Sequence, residues 1–288
     1  MDQRIINLFD EYTHRPLSRQ EFLRRLVQLA GSTALATSAL ALLEPGYAQA
    51  APLTPADRGY ATEEEEVSWE GDGATMRGLL VRPQRRKKRG AVVVIHENRG
   101  LTPHIKDVTR RIANQAGYVA LGVDALSVFG GTPADEDKGR ELIGKLDPQQ
   151  NLNNYLLALA YLRARPDSNG RTGCVGFCWG GAMANKLAIA DPKLNAAVAY
   201  YGTQPKDGDL SKIKARLMLH YAGLDERVNA GMNAYALALT TAGVKYEQYL
   251  YEGVNHAFNN DSSPARYNGE AAELAWKRTL RLFKEELK

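Results

Sequence analysis

The sequence predicts an α/β fold: a mostly parallel sheet with helices on both faces and an antiparallel hairpin at its start. Three observations carry this. Ala91 to Ile95 (AVVVI) is a continuous β-branched run of the kind a parallel sheet buries on both sides. Behind it, strand-like and helix-like segments alternate to the C-terminus. Ahead of it, Gly71-Asp72-Gly73 separates two strand-like stretches, Glu66 to Trp69 and Met76 to Val81, which is a hairpin signal.

The elements follow in order. Pro103 to Gln115 sets Ile105, Val108 and Ile112 on one helical face, and Gly117 ends it. Tyr118 to Val123 is a strand stopping at Asp124, and Leu152 to Arg163 is a helix that ends before Pro166. Arg171 to Phe177 reads as strand, Gly180 to Ala190 as helix, and Ala196 to Tyr200 and Arg216 to His220 as strands. Val228 to Thr241 is helical, Lys245 to Tyr251 a strand, and Glu270 to Leu287 a long final helix. In such sheets reacting groups gather at the carboxyl ends of the strands. Here those ends carry His96-Glu97-Asn98, Asp124, Cys178, Tyr201-Gly202, Tyr221 to Asp225 and His256.

The 288 residues divide into an extension, 1–50, and one domain, 51–288. In the extension five Lys/Arg balance five Asp/Glu, so the net charge of +4 resides in the domain. Its most basic run, Arg85 to Arg89, has no interleaved aromatics and falls between strands, so it reads as a solvated loop and no nucleic-acid partner is expected. Leu26 to Leu43 is apolar and rich in small residues, follows Arg24 and Arg25, and leads to Ala48-Gln49-Ala50, an A-x-A site. Two readings stand. One is an exported, cleaved leader, for which Ser18 to Arg24 resembles a twin-arginine signal with Gln20 in place of the second arginine. The other is a retained helical arm that packs on the domain or on a neighbouring subunit through Phe9, Tyr12, Phe22 and Leu26. A stable membrane span is not expected, because polar residues dilute an apolar stretch already at the short limit.

Gly176-Phe177-Cys178-Trp179-Gly180 fits G-x-nucleophile-x-G at a strand-to-helix junction. The glycines are needed because the nucleophile sits on a sterically strained turn. The other reading of Cys178 is a structural buried thiol. A nucleophile in this architecture is followed in the chain by its acid and then its histidine. His14, His96 and His104 precede Cys178; His220 ends a strand ahead of the best acid, which leaves His256. Asp225, in AGLDERV, is placed to orient His256. The backbone N–H groups of Trp179 and Asn98 are the candidate oxyanion donors. Cys174 reads as a core thiol: an extended four-residue rise of about 13 Å forbids a bridge to Cys178.

These motifs, together with Glu97 in IHENRG and His256 in YEGVNHAF, resemble the dienelactone hydrolase family of α/β-hydrolases over about residues 60–288. The resemblance implies an α/β-hydrolase fold and hydrolysis of a small ester or lactone by a Cys178–His256–Asp225 triad through an acyl-cysteine. It also implies that Glu97 contacts the resting thiol, which a neighbouring carboxylate would keep neutral. The two arginines with which the family holds a substrate carboxylate are missing: Ala125 to Phe129 contains none, and Asn260 stands at the other position. Arg99, Arg227 or Arg266 could replace them, and Tyr201, Tyr221, Trp179 and Phe258 point to an aromatic pocket. The extension is similar to that of longer bacterial members. Two other functions compete: a thiol redox protein using Cys178, and a non-catalytic scaffold on the same fold. No H-E-x-x-H, paired Cys/His spacing, G-x-G-x-x-G or P-loop occurs, so no metal or nucleotide cofactor is expected.

Overall fold

The computed structural model describes residues 1–15, 17–44, 59–85 and 87–288. The Ala48-Gln49-Ala50 site lies outside them. Three helices come first: α1 (Gln3–His14), α2 (Arg19–Ala30) and α3 (Thr33–Leu43). The apolar stretch from Leu26 to Leu43 is therefore broken. Gly31 ends α2 in the left-handed region, Ser32 caps α3, and the two helices meet at 113°. Among the described residues no single helix is long and apolar enough to cross a membrane.

An eight-stranded sheet follows, in the order β1-β2-β4-β3-β5-β6-β7-β8. The hairpin strands β1 (Thr62–Glu70) and β2 (Thr75–Pro83) are antiparallel, and β2 runs antiparallel to β4 (Val119–Asp124). From β4 onward every pairing is parallel, through β3 (Arg89–Ile95), β5 (Ser168–Phe177), β6 (Ala196–Tyr200), β7 (Arg216–Ala222) and β8 (Tyr246–Tyr251). Alternation along β3 shows how the two cores arise. Ala91, Val93 and Ile95 face a cluster built with α6 (Pro148–Ala164), α7 (Trp179–Ala190) and α9 (Met232–Thr241). Val92 and Val94 face the other, built with α4 (Pro103–Ala116) and α10 (Gly269–Glu286). The run is apolar throughout because both faces are covered.

Two elements differ from expectation. The helix expected over 228–241 is broken at Gly231 into α8 (Glu226–Asn229) and α9. Between β4 and α6, where no helix is expected, α5 (Glu136–Ile143) starts at Asp135, whose side chain caps the amides of Asp137 and Lys138.

The first three helices have their own core, in which Phe9, Phe22, Leu26 and Leu43 are fully buried and Tyr12 stacks on Phe22 at 4.3 Å. They lie against the carboxyl edge of the sheet. Tyr12 Oη donates to Asp137 (2.9 Å), Asn98 Nδ2 to the Thr13 carbonyl (2.8 Å), Gln3 Nε2 to Asn255 Oδ1 (2.6 Å), and the Ala265 amide to the Leu42 carbonyl (3.3 Å). Arg140 caps the Tyr12 ring at 3.9 Å and donates to the Tyr12 carbonyl.

Candidate active site

Cys178 stands between β5 and α7 with φ 56° and ψ −113°, a conformation costly for a residue with a Cβ. The flanking glycines are what make it feasible. A Cβ on Gly176 would lie 1.9 Å from the Gly180 carbonyl oxygen, and one on Gly180 would lie 2.4 Å from that of Ile95. Among the described residues the other non-glycine positive φ angles are Tyr201 (38°) and Ala257 (63°), the latter beside His256. Strain is concentrated where β5, β6 and β8 deliver their loops.

His256 Nδ1 lies 2.5 Å from Asp225 Oδ2, and both residues are buried. That bond fixes Nδ1 and leaves Nε2, which makes no hydrogen bond among the described residues, facing the thiol. The Trp179 amide opens α7 and so has no acceptor within the helix. The indole above it is stacked on buried His96 at 5.2 Å and 8°. Glu97 Oε2 accepts from Asn260 Nδ2 (2.9 Å), and Glu97 Oε1 is buried without a hydrogen-bond partner among the described residues. The residue touching the thiol is His14, from α1, whose Nε2 lies 3.0 Å from Sγ. Chain order excluded His14 from the triad, and order says nothing about a group from another element reaching the same sulfur. One signal was available: Asp10 and His14, at i and i+4, lie on the same helix as the apolar Phe9 and Tyr12.

His14 also changes the electrostatics expected from Glu97. Burial pushes the Cys178 thiol up, but the charges of His14 and His256 and the hydrogen bond from His14 outweigh it and bring the pKa down to about 6. The two imidazoles thus favour the thiolate, whereas a carboxylate alone beside the sulfur would favour the neutral thiol. Burial would likewise lower both imidazoles. For His256 the carboxylates of Asp225 and Asp10 and the thiolate reverse this, raising it well above the usual range. For His14 the sulfur and Asp10 outweigh burial and raise it.

The pocket residues divide. Tyr201 and Trp179 line a cavity of about 270 Å³ beside Cys178, together with Thr203, Ile143, Arg140 and Arg227. Tyr221 and Phe258 belong instead to the two cores, Tyr221 receiving a hydrogen bond from Gln204. Arg99 is paired with Glu136. On the opposite side of His14, the space lined by Glu97, Arg99, Asn260, Arg266, Cys178 and His256 shrinks to about 20 Å³, about enough for one water. His220, set aside as a core histidine, is fully buried on Tyr251 (2.9 Å) and Thr279 (3.2 Å).

Residues 76–287 match the model of the dienelactone hydrolase family. The chain belongs to that family. A carboxymethylenebutenolidase-type protein of Saccharolobus solfataricus is 31% identical over 251 residues, 75% of this chain and 96% of that one. Another from Methylorubrum extorquens is 28% identical over 286 residues and covers 94% of this chain, a span that must reach into the first fifty residues. A dienelactone hydrolase-type structure from Klebsiella pneumoniae superposes with a TM-score of 0.70 at 27% identity, covering 78% of this chain and 99% of its own. The protein is accordingly a carboxylic ester or lactone hydrolase of the α/β-hydrolase fold.

Proposed function

We propose that the hydrolysis runs through a Cys178–His256–Asp225 triad and an acyl-cysteine. The observation that carries this reading is the strained, glycine-flanked Cys178 facing the free Nε2 of a histidine whose Nδ1 is fixed by a buried aspartate. The thiolate sulfur attacks the carbonyl carbon, a C–S bond forms, and the carbonyl electron pair moves to oxygen. That oxyanion is received by the amides of Trp179 and Asn98, each donor of this kind contributing about 3 kcal/mol. Collapse breaks the C–O bond as His256 Nε2 gives its proton to the leaving alcohol. A water deprotonated by His256 then attacks the thioester and restores the thiolate. Glu97, with one buried oxygen unpartnered, guards the thiol when His14 is displaced by substrate.

The substrate is a small ester or lactone, in keeping with a cavity of about 270 Å³. Arg140 and Arg227 on its wall favour one that carries an acidic group away from the scissile bond, in place of the arginines absent at 125–129 and 260. A redox role for the cysteine pair is disfavoured because Cys174 belongs to the core on one face of the sheet and Cys178 to that on the other. The test is turnover of p-nitrophenyl acetate. Cys178→Ala and His256→Ala are expected to reduce it to background, and undiminished activity in both removes the triad. Across a panel of acidic and neutral esters, Arg227→Ala is expected to raise KM for the acidic members alone.

A further inference from the structure

His14, Cys178 and His256 come from three separate elements, and one ligand atom from each lies within 4.8 Å of the others. The way the two imidazoles are held is what singles the cluster out. His256 Nδ1 is bound to Asp225 Oδ2 (2.5 Å), and His14 Nδ1 faces the Asp10 carbonyl oxygen (2.9 Å) and carboxylate (3.1 Å). Each ring thus spends Nδ1 on an aspartate and turns Nε2 toward the same sulfur. This is the outer-shell arrangement that orients histidines on zinc, where the far nitrogen donates to a carboxylate or carbonyl. The rings meet edge to face with centroids 4.6 Å apart, so they do not stack on one another.

The charges agree with the geometry. Buried Asp225 and partly buried Asp10 stand behind the two imidazoles, and the guanidinium of Arg227 lies 3.7 Å from Asp10. Zn–S near 2.3 Å and Zn–N near 2.0 to 2.1 Å give a tetrahedral ligand-to-ligand edge of about 3.5 Å. The Nε2 to Sγ distance of 3.0 Å and the 4.8 Å limit of the cluster bracket that edge.

We infer that His14, Cys178 and His256 form a binding site for a soft divalent cation of the zinc class, with the N-terminal helix supplying one ligand and clamped over the active site when the cation is bound. The cation takes the thiolate sulfur and the lone pairs of two Nε2 atoms, and the protons they carried pass to solvent. A thiolate so bound gives up electron density to the cation and is a weaker nucleophile, and both Nε2 atoms are taken from proton transfer, so the bound form is an inhibited enzyme. That last step rests on Cys178 being the nucleophile; the binding itself does not.

The experiment uses the full chain stripped of metal. Zinc is titrated in competition with a chromogenic zinc indicator, and cobalt(II) is added separately to look for a thiolate-to-metal charge-transfer band. One zinc per chain is expected, with affinity lowered tenfold or more in both His14→Gln and Cys178→Ser, and with the cobalt band absent in Cys178→Ser. Asp10→Asn, which leaves every ligand in place, is expected to weaken binding by about tenfold as an outer-shell change. Circular dichroism of each variant identifies any that fail to fold, and a misfolded His14→Gln is replaced by His14→Ala. Substoichiometric zinc in the wild type overturns the site, as does unchanged affinity in a folded His14 variant. Ester turnover by the metal-free chain is scored in parallel: a site that binds zinc while Cys178→Ser retains turnover sinks the triad and leaves the cation site standing.

Discussion

At the scale of single residues, the sulfur of Cys178 is governed by its two imidazoles. The thiolate is lost as pH falls through about 6 in the native chain. Replacing His14 by Ala removes the nearer cation and the 3.0 Å contact while burial continues to disfavour charge, so the midpoint is expected to move upward. Ultraviolet titration of the thiolate measures it, and an unchanged midpoint shows that His14 does not hold the charge. Cys178, His256 and Asp225 were legible in the sequence because strand order and chain order restrict who can meet at a strand end. His14 was not, since it lies 164 positions from the sulfur and no local spacing encodes docking between a terminal helix and a remote loop. The pocket aromatics were legible only as aromatics. Tyr201 reaches the cavity because its loop turns with φ 38°, whereas Phe258 points into the core beneath it.

At the scale of elements, the turn from β5 to α7 depends on the absence of two side chains. A methyl group at Gly176 meets a backbone carbonyl at 1.9 Å, and backbone atoms cannot step aside as a flexible side chain can. Gly176→Ala is therefore expected to destabilise the chain by roughly 1–3 kcal/mol, read as a lower urea midpoint, and to cut turnover more than this loss explains. A variant of native stability and activity contradicts the packing described for the elbow. The parallel sheet was readable because AVVVI is an unbroken apolar run and strand-like and helix-like segments alternate after it, while α5 was not, since an eight-residue helix with mixed charge has too little apolar periodicity to stand out. Yet α5 supplies Asp137 and Arg140, the two side chains that hold Tyr12.

At the scale of the molecule, the face that carries Cys178 is shared between the sheet and the first three helices. Cys178 is only 6% exposed, and His14 is the side chain in contact with its sulfur. Access to Cys178 is thus tied to how firmly α1 stays docked. The docking is concentrated at Tyr12: it stacks on Phe22, donates to Asp137, and lies under the guanidinium of Arg140, which also binds its carbonyl. Replacing it by Ala removes the stacking, the side-chain hydrogen bond and the cation–π contact at once, and leaves the sheet and both large cores untouched. Tyr12→Ala is expected to accelerate alkylation of Cys178 by iodoacetamide at pH 8 by tenfold or more, with the urea transition of the domain nearly unmoved. pH 8 lies above the thiolate midpoint of about 6, so the rate reports access and not ionisation. Equal alkylation rates in the two proteins mean that the thiol is reached by a route that does not pass through α1. In that case substrate enters from the cavity beside Tyr201 and Arg227 while the helix stays in place, and His14 is a fixed wall of the site.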